Sequence, residues 1–127
     1  MERKFLLWGF IFGVTAVVLG AFGAHALKDI LTTAQRASFE TGIRYQMFHA
    51  LLLLILSKQE YLFNRALLNL LVIGVFLFSF SIYFLNLREF LNADWLSFLG
   101  PITPIGGLLL ISAWSMAVVK TVQNKNN

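Results

Sequence analysis

Residues 5–27 read FLLWGFIFGVTAVVLGAFGAHAL, 23 positions in a row without a charged side chain. A helix crossing the hydrocarbon core of a bilayer needs about 20 predominantly apolar residues. Three more uncharged runs follow: Tyr45 to Ser57 (13 residues), Ala66 to Leu87 (22) and Trp95 to Val119 (25). The first, third and fourth are long enough to cross by themselves. Composition agrees. Of 127 residues, 58% are hydrophobic and only 13% charged, about half the charged share of a soluble domain. There is no cysteine, which removes disulfides, thiolate metal sites and cysteine nucleophiles.

The formal net charge of +4 is not a nucleic-acid signal. Arg3, Lys4, Lys28, Arg36, Arg44, Lys58, Arg65, Arg88, Lys120 and Lys125 stand between the apolar runs. Binding a polyanion needs cations clustered on one face; cations flanking apolar runs mark the ends of membrane spans.

The short second run reads either as an interfacial segment or as a span with charged ends. Thr32-Thr33-Ala34-Gln35 has the form of a capping box. It would start a helix near Thr33, and from there to Ser57 is 25 residues, about 37 Å. Arg36, Glu40 and Arg44 then form one charged stripe on its first half. The reading as a span is favoured. Arg3, Lys4, the apolar stretch and Ala24-His25-Ala26 together have the parts of a cleaved signal peptide. The run exceeds the usual apolar core of such peptides, roughly 7–15 residues, so the first span is expected to stay.

The expected fold is therefore all-α: an integral membrane four-helix bundle with short loops, one transmembrane domain over 1–127, with spans at about 5–26, 42–58, 66–87 and 97–119. Six cations against four place both termini in the cytoplasm. Within the first span, Gly9, Gly13, Gly20 and Gly23 recur at helical spacing and predict a packing face, used inside the monomer or between copies. In Gly100-Pro101-Ile102-Thr103-Pro104-Ile105-Gly106-Gly107, Thr103 is expected to cap a helix whose first residue is Pro104. Gly106 and Gly107 add a second packing site.

Polar residues, placed by depth, concentrate in the outer half: His25, Tyr45, Gln46, His49, Ser79, Tyr83 and Thr103. Polar groups in hydrocarbon are costly and are usually paired or functional. The cluster reads as a hydrogen-bonded clip between helices, or as a site for a ligand, a lipid headgroup or a proton. Metal spacing is absent, and neither a catalytic constellation nor a cofactor motif is recognisable.

The segments Gly20-Ala21-Phe22-Gly23-Ala24-His25, Tyr45-Gln46, His49-Ala50, Phe78-Ser79, Ser81, Tyr83 and Ile102 to Gly107 together resemble the bacterial membrane-protein family catalogued as domain of unknown function 423. Small mitochondrial transmembrane proteins of animals resemble it too. The family usually places glycine after the serine; here Phe80 stands there. The resemblance implies an inner-membrane protein of four helices, with no activity, substrate or cofactor to carry over. The leading expectation is a non-enzymatic protein that binds membrane lipids, a membrane-protein partner or itself as a homo-oligomer. The alternative is a small oligomeric transporter or channel, with His25 and His49 in a proton or solute path.

Overall fold

The computed structural model describes residues 1–125. Four antiparallel helices make the fold. They are α1 (Glu2–His25), α2 (Thr33–Leu56), α3 (Arg65–Leu87) and α4 (Ile102–Lys125). The segments Glu2–His25, Arg65–Leu87 and Asp94–Lys125 are long and apolar enough to cross a membrane. α2 has the length, 24 residues, but carries charges in its first half.

The capping box is formed: Thr32 Oγ1 accepts from Gln35 N at 3.2 Å, and Thr32 N donates to Gln35 Oε1 at 3.0 Å. Two of the orphan donors at the start of α2 are thereby satisfied. Asn64 caps α3, its Oδ1 accepting from Ala66 N at 2.7 Å. α4 departs from expectation. Its helix runs from Ile102, so Pro104 lies inside the first turn, where a missing N–H costs nothing. Thr103 does not cap it; its hydroxyl turns to α3 instead. The stretch Asp94–Leu99 is a separate 3₁₀ segment, ended by the turn at Gly100-Pro101, and α4 continues to Lys125.

α3 is not a uniform helix. Arg65–Val75 is α-helical, Phe76–Phe80 forms a π turn, and Ser81–Leu87 resumes the α form. Of the three apolar segments, α3 is the most enclosed. The core gathers around it, with Phe5, Phe12, Leu53, Leu67, Leu71 and Val75 almost fully buried. α1 lies along α2 and touches α3 through rings: Trp8 and Phe12 sit 5.8 and 5.4 Å from Phe76.

In a bilayer the surrounding lipid is as apolar as the core, so close backbone approach decides how helices associate. α3 and α4 meet in steps of one turn: Gly74 against Leu110, the Phe78 backbone against Gly106, Ser81 against Thr103. A Cβ on Gly106 would lie 2.6 Å from Leu77 C and 2.8 Å from Phe78 Cα. Gly107 is different, with the Phe78 ring 3.7 Å from its Cβ position.

α1 and α2 meet in the same manner. Gly9 faces Leu54, whose Cδ2 would be 2.6 Å from an added Cβ, and Gly23 faces the Phe39 ring at 3.0 Å. Gly20 is looser, with Ile43 at 3.7 Å, and Gly13 meets nothing within 4 Å. Gly13 therefore faces open space inside this chain. At the chain-terminal end of the hairpin, Lys58 Nζ pairs with Glu2 Oε1 at 2.7 Å. At the other end, Asn86 Nδ2 donates to Ser38 Oγ at 3.0 Å, tying α3 to α2.

Candidate functional site: a polar clip between four helices

Gln46 is the hub. It projects from the middle of α2 and is fully buried. Its Nε2 donates to Phe12 O at 3.0 Å and to Thr15 Oγ1 at 2.6 Å, both on α1. Its Oε1 accepts from Tyr83 OH on α3 at 2.7 Å. Thr15 passes its own proton to Ile11 O at 2.8 Å. One amide therefore joins three helices, and its orientation follows from its partners.

Ser79 and Ser81 complete the links of α3. Ser79 sits in the π turn, and its Oγ donates to Gly42 O on α2 at 2.8 Å. No side chain at Gly42 blocks the approach of Tyr83, whose Cε1 would be 2.7 Å from a Cβ there. Ser81 Oγ lies 2.5 Å from Leu77 O and 2.9 Å from Phe78 O, carbonyls that the wider turn alters. Its proton is committed to those carbonyls. Thr103 on α4, 2.6 Å away, therefore donates to Ser81 Oγ.

His49 joins α2 to α4. Its Nδ1 lies 2.6 Å from Tyr45 O, four residues back on the same helix, and its Nε2 accepts from Trp114 Nε1 at 3.1 Å. A carbonyl accepts and an indole N–H donates, so the ring is the neutral Nδ1–H tautomer with both nitrogens occupied. Every buried side-chain N or O among the described residues has a partner. Replacing Trp114 by Phe keeps the ring and removes the donor to His49 Nε2. Thermal unfolding in detergent should show a loss of about 1 kcal/mol; an unchanged midpoint would mean that the bond contributes nothing.

The structure brings together Gln46, Tyr83, Ser79 and His49, and links Thr103 through Ser81. Tyr45 takes part through its backbone; its ring is exposed and lies 4.9 Å from that of Phe78. His25 stands apart, exposed in the last turn of α1. The expected pairing of His25 with His49 is therefore not what the helices produce. Counted along the helices, Gln46, Thr15 and Trp114 lie near the midpoints of α2, α1 and α4.

Thr15, Trp114, Gly42 and Gly74 belong to the arrangement without having been singled out as parts of a site. Thr15 is the lone hydroxyl of the first apolar run, which was a usable signal. Trp114 reads as an interfacial anchor until α4 is seen to extend beyond it to Lys125.

A bundle of four helices, three of them apolar enough to span, clipped together by buried polar bonds, defines a small multi-pass membrane protein. The chain belongs to the family described as "Protein of unknown function (DUF423)", whose model matches residues 19–107. The UPF0382 membrane protein of Staphylococcus epidermidis (strain ATCC 12228 / FDA PCI 1200) is 36% identical over 127 residues, covering 95% of this chain and 97% of its own. UPF0382 membrane protein YwdK of Bacillus subtilis (strain 168) is 36% identical over 126 residues, covering 95% and 98%. The UPF0382 membrane protein of Haemophilus influenzae (strain ATCC 51907 / DSM 11121 / KW20 / Rd) is 33% identical over 129 residues, covering 99% of each. No solved structure matches the chain.

Proposed function

We propose that this membrane protein is non-enzymatic and acts by binding a lipid within the bilayer. It would sit in the bacterial inner membrane with both termini cytoplasmic. The saturation of the polar clip carries this reading. Each buried side-chain N or O among the described residues is engaged within the chain, so the clip leaves no polar atom waiting for a ligand. His49 in particular has both ring nitrogens occupied, which argues against a proton path through it. Recognition then falls to the outer surface. That surface is mostly apolar side chains of α1 and α4, such as Phe10, Val14, Val17, Leu108 and Ile111. The connections at 26–32, 57–64 and 88–101 leave little water-facing area. An even number of spans puts the termini on one side, and the distribution of Lys and Arg favours the cytoplasm for them.

Native mass spectrometry of the full chain released from detergent tests the reading. The expected spectrum shows a monomer or dimer holding a defined lipid. A bare monomer would remove lipid binding, and a ring of three or more copies without lipid would favour a pore.

A further inference from the structure

Two cavities lie between α1 and α2. One, of about 240 Å³, opens near the end where α1 passes into α2, and Gly20, Gly23, Arg36, Glu40 and Arg44 line it. The other, of about 600 Å³, is apolar and is bounded by Phe10, Gly13, Val17, Met47 and Leu51. Their residues share one face of each helix. Phe10, Gly13, Val17, Gly20 and Ala24 follow one another at intervals of three or four on α1; Leu51, Met47, Arg44, Glu40 and Arg36 do so on α2. Residues at that spacing line one side of a helix. The two cavities share no lining residue but follow one another along the same two helix faces, so they line up as a groove that is apolar toward the middle of α2 and charged toward its first turns.

The order along the groove is specific. From the bilayer interior outward come apolar side chains, then the Arg44 guanidinium, then the Glu40 carboxylate one turn further, then Arg36. Among the described residues the only ion pair is Lys58 with Glu2, and none of these three charges has an ionic partner there. Arg44 follows Ile43, which packs at the level of Gly20. Gly20 stands seven residues inside the first apolar run, about 10 Å from its end. A charge at such depth is costly without a partner.

Resting on the lipid-binding reading above, we propose that this groove holds an aminophospholipid. Its phosphate sits on Arg44, its primary ammonium on Glu40, and an acyl chain lies over Gly13 between Phe10 and Leu51. An aminophospholipid in a leaflet presents acyl chain, phosphate and ammonium in this same order. Arginine suits a phosphate through paired N–H donors. A primary ammonium donates to a carboxylate, which a quaternary ammonium cannot do. A purely anionic head could use the two arginines but would bring the Glu40 carboxylate no cationic partner of its own.

The test uses the full chain reconstituted in vesicles of equal parts phosphatidylethanolamine, phosphatidylglycerol and phosphatidylcholine, then examined by native mass spectrometry. The phosphatidylethanolamine adduct should exceed each of the others by about tenfold, the ratio for 1.4 kcal/mol. Arg44→Gln should remove it, and Glu40→Gln should abolish the preference over phosphatidylcholine. Gly13→Leu should also displace the lipid, by filling the groove. Its Cβ meets nothing within 4 Å, so its melting temperature should match wild type. Equal or greater retention of phosphatidylglycerol overturns the proposal. So does an adduct that survives Arg44→Gln, or one lost in Gly13→Leu only together with the fold. A lipid retained unchanged in all three variants would leave the lipid-binding reading standing and remove this groove; no retained lipid at all would remove both.

Discussion

Gly106→Ala is expected to lower stability by about 3 kcal/mol or more, above the usual range for overpacking. The added methyl would strike the Phe78 backbone nitrogen, with Leu77 C at 2.6 Å and Phe78 Cα at 2.8 Å. These are main-chain atoms of the π turn, and no rotamer change can move them aside. Relief requires α3 and α4 to separate. Separation would stretch the contact of Gly74 with Leu110 and the bond between Thr103 and Ser81, 2.6 Å long in the native fold. Two neighbouring substitutions give the contrast. Gly107→Ala places its methyl 3.7 Å from a ring carbon, an ordinary contact. Gly13→Ala meets nothing within 4 Å and should be neutral or slightly stabilising through helix propensity. Far-UV circular dichroism during heating in detergent measures all three. A Gly106→Ala midpoint equal to that of Gly107→Ala would refute the close approach.

Gln46→Leu is the second large effect. Leucine is close in size, so the change removes chemistry more than volume. Three hydrogen bonds disappear, and Tyr83 OH, Phe12 O and Thr15 Oγ1 each lose a partner in a buried setting. Single polar bonds between membrane helices average about 0.6 kcal/mol and reach about 2 kcal/mol. Three lost together, with a phenol left unpaired, should cost about 2–3 kcal/mol. Tyr83→Phe alone removes one of these bonds. Combining it with Gln46→Leu should cost less than the two separately, since the phenol no longer has an acceptor to lose. Additive losses in denaturant titrations would show that the two side chains do not act on each other.

Local signals carried the helices well. Four apolar or amphipathic runs and a capping box at Thr32 and Gln35 are short-range features, and each appears in the fold. The beginning of α4 was misplaced because Thr103-Pro104 carries the same cap-and-proline pattern as a helix start. What decided against it is tertiary: the Thr103 hydroxyl has a partner on α3. Close packing by Gly9, Gly23 and Gly106 follows the small-residue rule, yet the same rule named Gly13, where an added Cβ would meet nothing within 4 Å among the described residues, and passed over Gly42 and Gly74. Spacing shows which glycines share a face and not which face meets another helix. The π turn had no signal in the apolar pattern, since α3 is apolar on nearly every side. Within the polar set, residue type found Gln46, Tyr83 and His49. Residue type did not name their partners, because Thr15 and Trp114 reach them only through the packing of α1 and α4 on α2.

The partnership of Gln46 with α1 bears on how the chain is made. Of the four helices, α2 is the one whose own composition does not qualify it to cross a bilayer. Alone in lipid it would expose an amide and the charges of its first half. The acceptors that satisfy the amide, Phe12 O and Thr15 Oγ1, belong to the segment synthesised just before it. The connecting turn from Ala26 to Thr32 is short enough for the two to fold back at once. On this arrangement the second helix gains partners for its amide only with the first beside it, so insertion as a hairpin would be less costly than insertion of α2 by itself.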